Sequence, residues 1–322
     1  MHRLDTFDNI DNFVKYFSTE DRCRKYLEKL LWEGEPVCPF CGAFERIHRF
    51  KNNRYFFKCN DCRNKFKATN KTILEGTHLS LCTWFLAFYL VSSHSKGISS
   101  TQMSTYLNVT QATAWYLLHR IRHALANPKL ILSGEIEIDE VYIGGKKRGG
   151  KRGVGSENKI VILGMVERGG RVLIIPIEAA QMDVVTPIIQ RYVSTDSRIF
   201  TDESPIYNRL KEIYKQHDII NHSREFAVGD IYTNTIEGVW SLFKRALFGI
   251  YHSVSTRHIT KYCTEFAYRY STREMDEQGK FDYLLQCLFG GRLKYKDLIS
   301  GPKYTRRVGE SKFTASREGW TK

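Results

Sequence analysis

The chain has 322 residues, enough for two or three folded units, one of them with a sizeable core. Its 49 Lys and Arg against 35 Asp and Glu give a formal charge of +14, so a polyanion is the natural partner. The longest apolar stretch, residues 79–91, is too short to cross a bilayer and is interrupted by Ser80, Cys82 and Thr83. The N-terminal run MHRLDTFDNIDNF has mixed charge and no apolar signal region, so export is not expected.

Residues 19–32 place Tyr26, Leu27, Leu30 and Leu31 on one helical face, and Gly34 and Pro36 stop that helix. This closes an N-terminal helical segment, 1–34. Next, Cys38-Pro-Phe-Cys41 and Cys59-Asn-Asp-Cys62 stand 17 residues apart. Two CxxC pairs at this separation predict a zinc ribbon over 35–72, each pair presenting two thiolates to one structural Zn²⁺ and leaving no open coordination position. From Gly42 to Lys71 nine basic residues face two acidic ones, interleaved with Phe50, Tyr55, Phe56, Phe57 and Phe66, which suits contact with a nucleic-acid backbone. The other four cysteines, Cys23, Cys82, Cys263 and Cys287, lie in apolar helical contexts and read as buried thiols of a reducing compartment.

Residues 76–128 read as helix, helix, turn, helix. Ser99-x-x-Gln102 is a capping box, Asn108 allows a tight turn, and Thr110 caps a helix with the apolar stripe Ala114, Leu118, Ile121 and Leu125. A helix-turn-helix of this kind would offer Thr110, Gln111 and Thr113 near the N-terminus of its second helix, with Arg120 and Arg122 further along to meet phosphates. A small helical core without DNA contact fits the same pattern; adjacency to a basic ribbon favours DNA. Asn127-Pro128 then begins a linker.

From Gly134 the pattern changes to strands at 135–143, 159–167 and 171–177, with Gly169-Gly170 as a hairpin turn. A helix is expected at 183–193, a strand at 198–201, a helix at about 204–216, a short strand at 218–222 and a long helix from near Thr233. Residues 144–156, with six glycines and five basic residues, form a hairpin tip that could close over a nucleic-acid backbone. Residues 291–322 form a basic tail poor in periodic apolar residues.

Three acids punctuate this region: Asp139 in EIEIDEVYIGG, Asp202 in RIFTDES and Glu237 in NTIEGVWSLFKR. Each alone has a plain structural role: a solvated strand acid, an acid at a helix start, and with Asn234 a capping box. Together, with Asn234, Glu237, Ser241 and Lys244 near one helical face beside the apolar stripe Ile236, Trp240, Phe243 and Leu247, they resemble the catalytic trio of DDE transposases. The segments EIDEVYIGGK, TDES and TNTIEGVWSLFKRALFGIYHSVSTRHITKYCTEFAYRY are similar to those of insertion-sequence transposases that carry an N-terminal zinc ribbon, the ISXO-two-like group, over essentially residues 20–290.

That resemblance implies an α+β multidomain protein in which a small zinc ribbon and a helix-turn-helix unit precede a ribonuclease-H-like mixed-sheet catalytic domain at 134–290. It implies two Mg²⁺ (or Mn²⁺) ions held by Asp139, Asp202 and Glu237 roughly 3.5–4 Å apart, serving water attack and then 3′-hydroxyl attack at phosphorus. Asn234 is a second candidate for the third position. Lys244, about 10.5 Å along the helix from Glu237, and Arg245 would meet DNA phosphates. The implied partners are terminal inverted repeats, target DNA and further copies of the chain, at least a dimer, in the cytoplasm and associated with DNA. A metal-dependent nuclease that cuts without joining, or a DNA-binding regulator derived from a transposase, are the competing functions. End recognition is expected to separate from chemistry along the chain, so that residues 1–132 alone bind the terminal repeat.

Overall fold

The computed structural model describes residues 7–126, 130–144, 159–220, 231–289 and 291–300. The expected Asn127-Pro128 linker, all but the first residue of the hairpin tip, the end of the strand at 218–222 and the tail beyond 300 lie outside the described residues.

Helices of the first third begin on side chains that accept a free backbone donor. Asn9 opens α1 (Ile10–Tyr16), Thr19 α2 (Glu20–Trp32), Ser80 α3 (Leu81–Ser93), Ser99 α4 (Ser100–Leu107) and Thr110 α5 (Gln111–Ala124), each accepting from the N–H three residues on. Asn108 makes the turn between α4 and α5 at a φ of 51°. Between α2 and α3, β1 (Ile47–Arg49), β2 (Phe57–Cys59) and β3 (Lys65–Phe66) form an antiparallel sheet in that order. Phe57 and Phe66 stack inside it with Trp32 edge-on to Phe57, while Phe44, Phe50 and Tyr55 stay exposed.

The larger sheet comprises β4 (Glu135–Ile143), β5 (Ile160–Glu167), β6 (Val172–Ile177), β7 (Arg198–Asp202) and β8 (Gln216–Ile220), in the order β6-β5-β4-β7-β8. The β4–β5 and β5–β6 pairs are antiparallel, whereas β4–β7 and β7–β8 are parallel. Helix α6 (Met182–Tyr192) connects β6 to β7. The helix expected at 204–216 is broken instead: a 3-10 turn, Pro205–Tyr207, precedes a short α7 (Leu210–Ile213), and the chain joins β7 as a strand from Gln216. Burial of Tyr207, Leu210 and Tyr214 in the core beneath the sheet outweighs continued helical pairing.

Alternation along β4 sends Ile136 and Ile138 to the core shared with α6, and Val141 and Ile143 to the core shared with α8 (Asn234–Ala246) and α9 (Ile259–Ser271). A π turn, Leu247–Tyr251, ends α8. The last helices are α10 (Glu277–Gln286) and α11 (Tyr295–Ser300).

Helix α10 packs on α2 and α3. Tyr268, Phe281, Leu284, Leu285 and Leu288 thereby share one core with Phe13, Phe85, Phe88 and Leu117. Residues 1–132 thus share their apolar core with the chain from α9 onward, and a fragment ending at 132 would lose that cover. Periodicity marks which face of a helix is apolar but not which distant segment covers it.

Candidate active site

The parallel register pairs Glu137 with Phe200, and two further residues along each strand set Asp139 beside Asp202 on one face of the sheet. Across β4, Asp139 lies opposite Gly164 of β5. That glycine is necessary: a Cβ there would stand 2.5 Å from the Trp240 ring. With no side chain in the way, Trp240 of α8 lies on the sheet, and its indole N–H donates to Asp139 Oδ2 at 2.8 Å.

Burial pushes the Asp139 carboxyl up to about 7; the Trp240 hydrogen bond pulls against this rise, and the charges of Glu140 and Asp202 add to it. Glu140 is raised as well, first by burial and then by Asp202, while the Tyr207 hydroxyl donates to its Oε2 at 2.6 Å and opposes the shift. Asp202 Oδ1 accepts from the Ser204 N–H at 3.0 Å. Among the described residues no Lys or Arg forms an ion pair with Asp139, Glu140 or Asp202. Crowded, poorly solvated carboxylates of this kind are relieved by a hard cation, so the donor set fits a divalent ion.

Glu237 and Asn234 are exposed on the first turn of α8, three and six residues before Trp240. The expected Asn234 capping box is not formed, since Asn234 is already helical and Thr233 is the N-cap, its backbone oxygen accepting the Glu237 N–H. The four cysteines of the ribbon are the group of three or more His, Cys, Asp or Glu, among the described residues, with ligand atoms within 4.8 Å of one another. Asp139 and Asp202 share one sheet face and α8 docks over Asp139 through Trp240, but the three acids do not close to that spacing. Lys244 and Arg245 are exposed further along α8.

Sequence reasoning missed a partner of Asp139 and a buried acid on the same strand. The sequence pattern places Trp240 in an apolar stripe and singles out no role for Glu137. Glu137 is fully buried: it accepts from Arg168 Nε at 2.8 Å and from the Ile236 backbone N–H at 2.9 Å. A signal existed, since Glu137 and Asp139 are two apart on a strand and must share a face.

Of the residues expected to meet DNA, Gln111 is exposed and hydrogen-bonded to Ser100, and Thr110 is exposed while capping α5 toward the half-buried Thr113. Arg120 and Arg122 are corrections. Arg120 is buried, donating to the carbonyls of Ile73 and Glu75 with its guanidinium over Trp84. Arg122 is buried in an ion pair with Glu265 of α9 at 2.5 Å, over the Tyr262 ring. Both point into the packing of α5 against its neighbours, leaving no guanidinium surface for phosphates.

In the ribbon, Cys38 Sγ lies 3.6 Å from Cys62 Sγ, and Cys41 Sγ lies 3.6 Å from Cys59 Sγ. Tetrahedral bonds of about 2.3 Å would set sulfurs about 3.8 Å apart, so the four-Cys cluster fits a structural zinc. Each knuckle closes with a left-handed residue after its second cysteine, Gly42 at φ 78° and Arg63 at φ 61°. Lys65 Nζ stands 4.0 Å from the Phe56 ring centre and 5.0 Å from that of Phe50, giving the ribbon a basic aromatic face.

The mixed sheet with its paired acids and the four-cysteine cluster upstream of it both fall within regions that match known domains. Residues 131–271 match the ISXO2-like transposase domain and residues 18–65 the transposase zinc-ribbon domain. An uncharacterized protein in transposable element ISH50 of Halobacterium salinarum is 27% identical over 275 residues, covering 80% of this chain and 92% of that protein. An uncharacterized transposase-like protein of Haemophilus influenzae is 30% identical over 108 residues, covering 34% of this chain and 87% of that protein. The chain belongs to the ISXO2-like transposase family.

Proposed function

We propose that the chain binds the ends of an insertion element, cleaves a phosphodiester there to free a 3′-hydroxyl, and joins that end to target DNA. The observation that carries this reading is the pairing of Asp139 with Asp202 on one sheet face beneath α8, the helix that bears Glu237. Bound between these carboxylates, divalent ions would supply Lewis-acid stabilisation of the attacking and leaving oxygens at phosphorus.

The protein's own groups prepare that site. Trp240 occupies one oxygen of Asp139 and fixes its orientation. Ser204 does the same for Asp202 through its backbone N–H. Glu237 is the third ligand, preferred to Asn234 because a carboxylate attracts a divalent cation more strongly than an amide oxygen does. Lys244 and Arg245 hold the DNA backbone along α8. Gln111 and Thr113 read the terminal repeat from the N-terminal end of α5, while the ribbon's lysines and aromatic rings follow the backbone beside it. These assignments give the ribbon and the α4–α5 pair the role of end recognition and the larger sheet that of chemistry. The active form holds at least two copies, one for each element end.

The test uses full-length protein, Mg²⁺ and duplex DNA carrying the inverted repeats that flank the reading frame. Wild-type protein should nick at the repeat and give joined products with a second DNA. Asp139→Asn, Asp202→Asn and Glu237→Gln should each bring both steps below detection while leaving repeat binding within a few-fold of wild type. Cleavage without joined products would assign a nuclease instead, and cleavage by Glu237→Gln would move the third role to Asn234.

A further inference from the structure

Arg168, the residue after β5, touches each of the three segments that carry the acids. Its Nε donates to Glu137, two residues before Asp139 on β4. Its guanidinium lies 3.7 Å from the ring centre of Phe200, two residues before Asp202 on β7. On the other side it lies 3.8 Å from the ring centre of Tyr232 and donates to the Tyr232 carbonyl at 2.8 Å, two residues before α8 begins at Asn234. Glu137 completes the circuit by accepting the N–H of Ile236, the residue before Glu237.

We propose that Arg168 and Glu137 are positioning residues that set where α8 starts relative to β4 and β7, and so hold the third acid over the first two. The first turn of a helix has unsatisfied N–H groups, and here one of them is satisfied by a buried carboxylate on the strand of Asp139. The start of α8 is tied to the sheet by these contacts, by Trp240 and by Ile236, which is buried in the core that α8 shares with β4, β5 and β6. A planar guanidinium between two rings, with donors in three directions, is a geometry that lysine does not reproduce. Neither residue faces DNA, since Glu137 is fully buried and the Arg168 side chain is 11% exposed. Their action is on the acids. The inference rests on the proposed roles of Asp139, Asp202 and Glu237.

The experiment compares full-length wild type, Arg168→Lys, Glu137→Gln and Asp139→Asn. Four readouts are taken: thermal melting, Mn²⁺ binding without DNA by electron paramagnetic resonance, amide exchange in the peptide spanning 232–240, and the Mg²⁺ concentration for half-maximal cleavage. Arg168→Lys should fold and bind repeat DNA, yet bind Mn²⁺ about tenfold or more weakly and need a matching excess of Mg²⁺, the usual scale for losing an outer-shell support. Exchange should accelerate at the start of α8 and not in its second half. Glu137→Gln, which can keep one oxygen for the Ile236 N–H but turns an amide NH₂ toward Arg168 Nε, should shift the same readouts in the same direction, and it carries the test if Arg168→Lys does not fold. A lowered melting temperature with wild-type Mn²⁺ affinity and Mg²⁺ dependence would reduce the pair to a structural role and overturn the inference. Cleavage by Asp139→Asn would instead overturn the active-site reading itself.

Discussion

Gly164 shows how one missing side chain governs the site. It lies opposite Asp139, and the Trp240 ring occupies the space a Cβ would take. Ile236 Cδ1, at 2.9 Å from that position, leaves no room on the other side. Gly164→Ala should therefore push Trp240 off the sheet and break its hydrogen bond to Asp139. Overpacking of this kind costs about 1–3 kcal/mol, visible as a lowered denaturation midpoint, and cleavage should fall more than DNA binding. Trp240→Phe in the same chain should recover part of the stability, because the smaller ring relieves the contact, but not the activity that depends on the indole N–H. A Gly164→Ala protein as stable and as active as wild type would show that Trp240 has another place to go.

At the scale of elements, what was legible in the sequence is what local chemistry decides. The caps Ser99 and Thr110, the turn at Asn108 and the strands from Glu135 to Ile177 depend on neighbours a few residues away, and they stand where the patterns put them. The short helix α1 went unread although Asn9 caps it by the same means. Asp139 and Asp202 could be picked out because an acid inside an alternating apolar strand and one that ends a short apolar strand are conspicuous. The Arg168 contacts could not, since they need the register of three strands and the entry to α8. Arg120 and Arg122 mislead for a similar reason: a helix carries no mark of which face a distant helix will cover. The ribbon is the opposite case, legible from spacing alone. Its apolar core holds little beyond Phe57, Phe66 and two of the cysteines themselves, so metal must supply much of its stability. Cys38→Ser or Cys62→Ser should lower the zinc content from one per chain and remove amide protection across residues 36–66, with the larger sheet unchanged. Metal analysis that found no zinc in protein purified without chelator would refute the ribbon's dependence on it.

Across the whole molecule, the helices assigned to end recognition and the sheet assigned to chemistry are fastened by buried charge. Glu265 of α9 accepts from Arg122 of α5 and from Arg269, and Arg269 also donates to the His94 carbonyl at the end of α3. All three ionic side chains are buried. Helix α9 follows α8 after the π turn, and α10 continues from it into the N-terminal core. Helices α5 and α8 are thus both in contact with α9, through the Arg122–Glu265 pair and through Phe243 against Phe266. Two predictions meet here. Glu265→Ala leaves two buried cations without their anion and should cost roughly 3–5 kcal/mol in denaturant melts. A fragment of residues 1–132 loses both that anion and the apolar cover from Phe281, Leu284, Leu285 and Leu288, so it should bind a hydrophobic dye and melt without cooperativity. Appending residues 255–300 through a flexible linker should restore a cooperative transition, because those residues return α9 and α10 to the faces they cover. A 1–132 fragment that melted sharply, near the temperature of the full-length protein, would mean that α10 rests on a core already complete without it, and that recognition and chemistry can be cut apart after all.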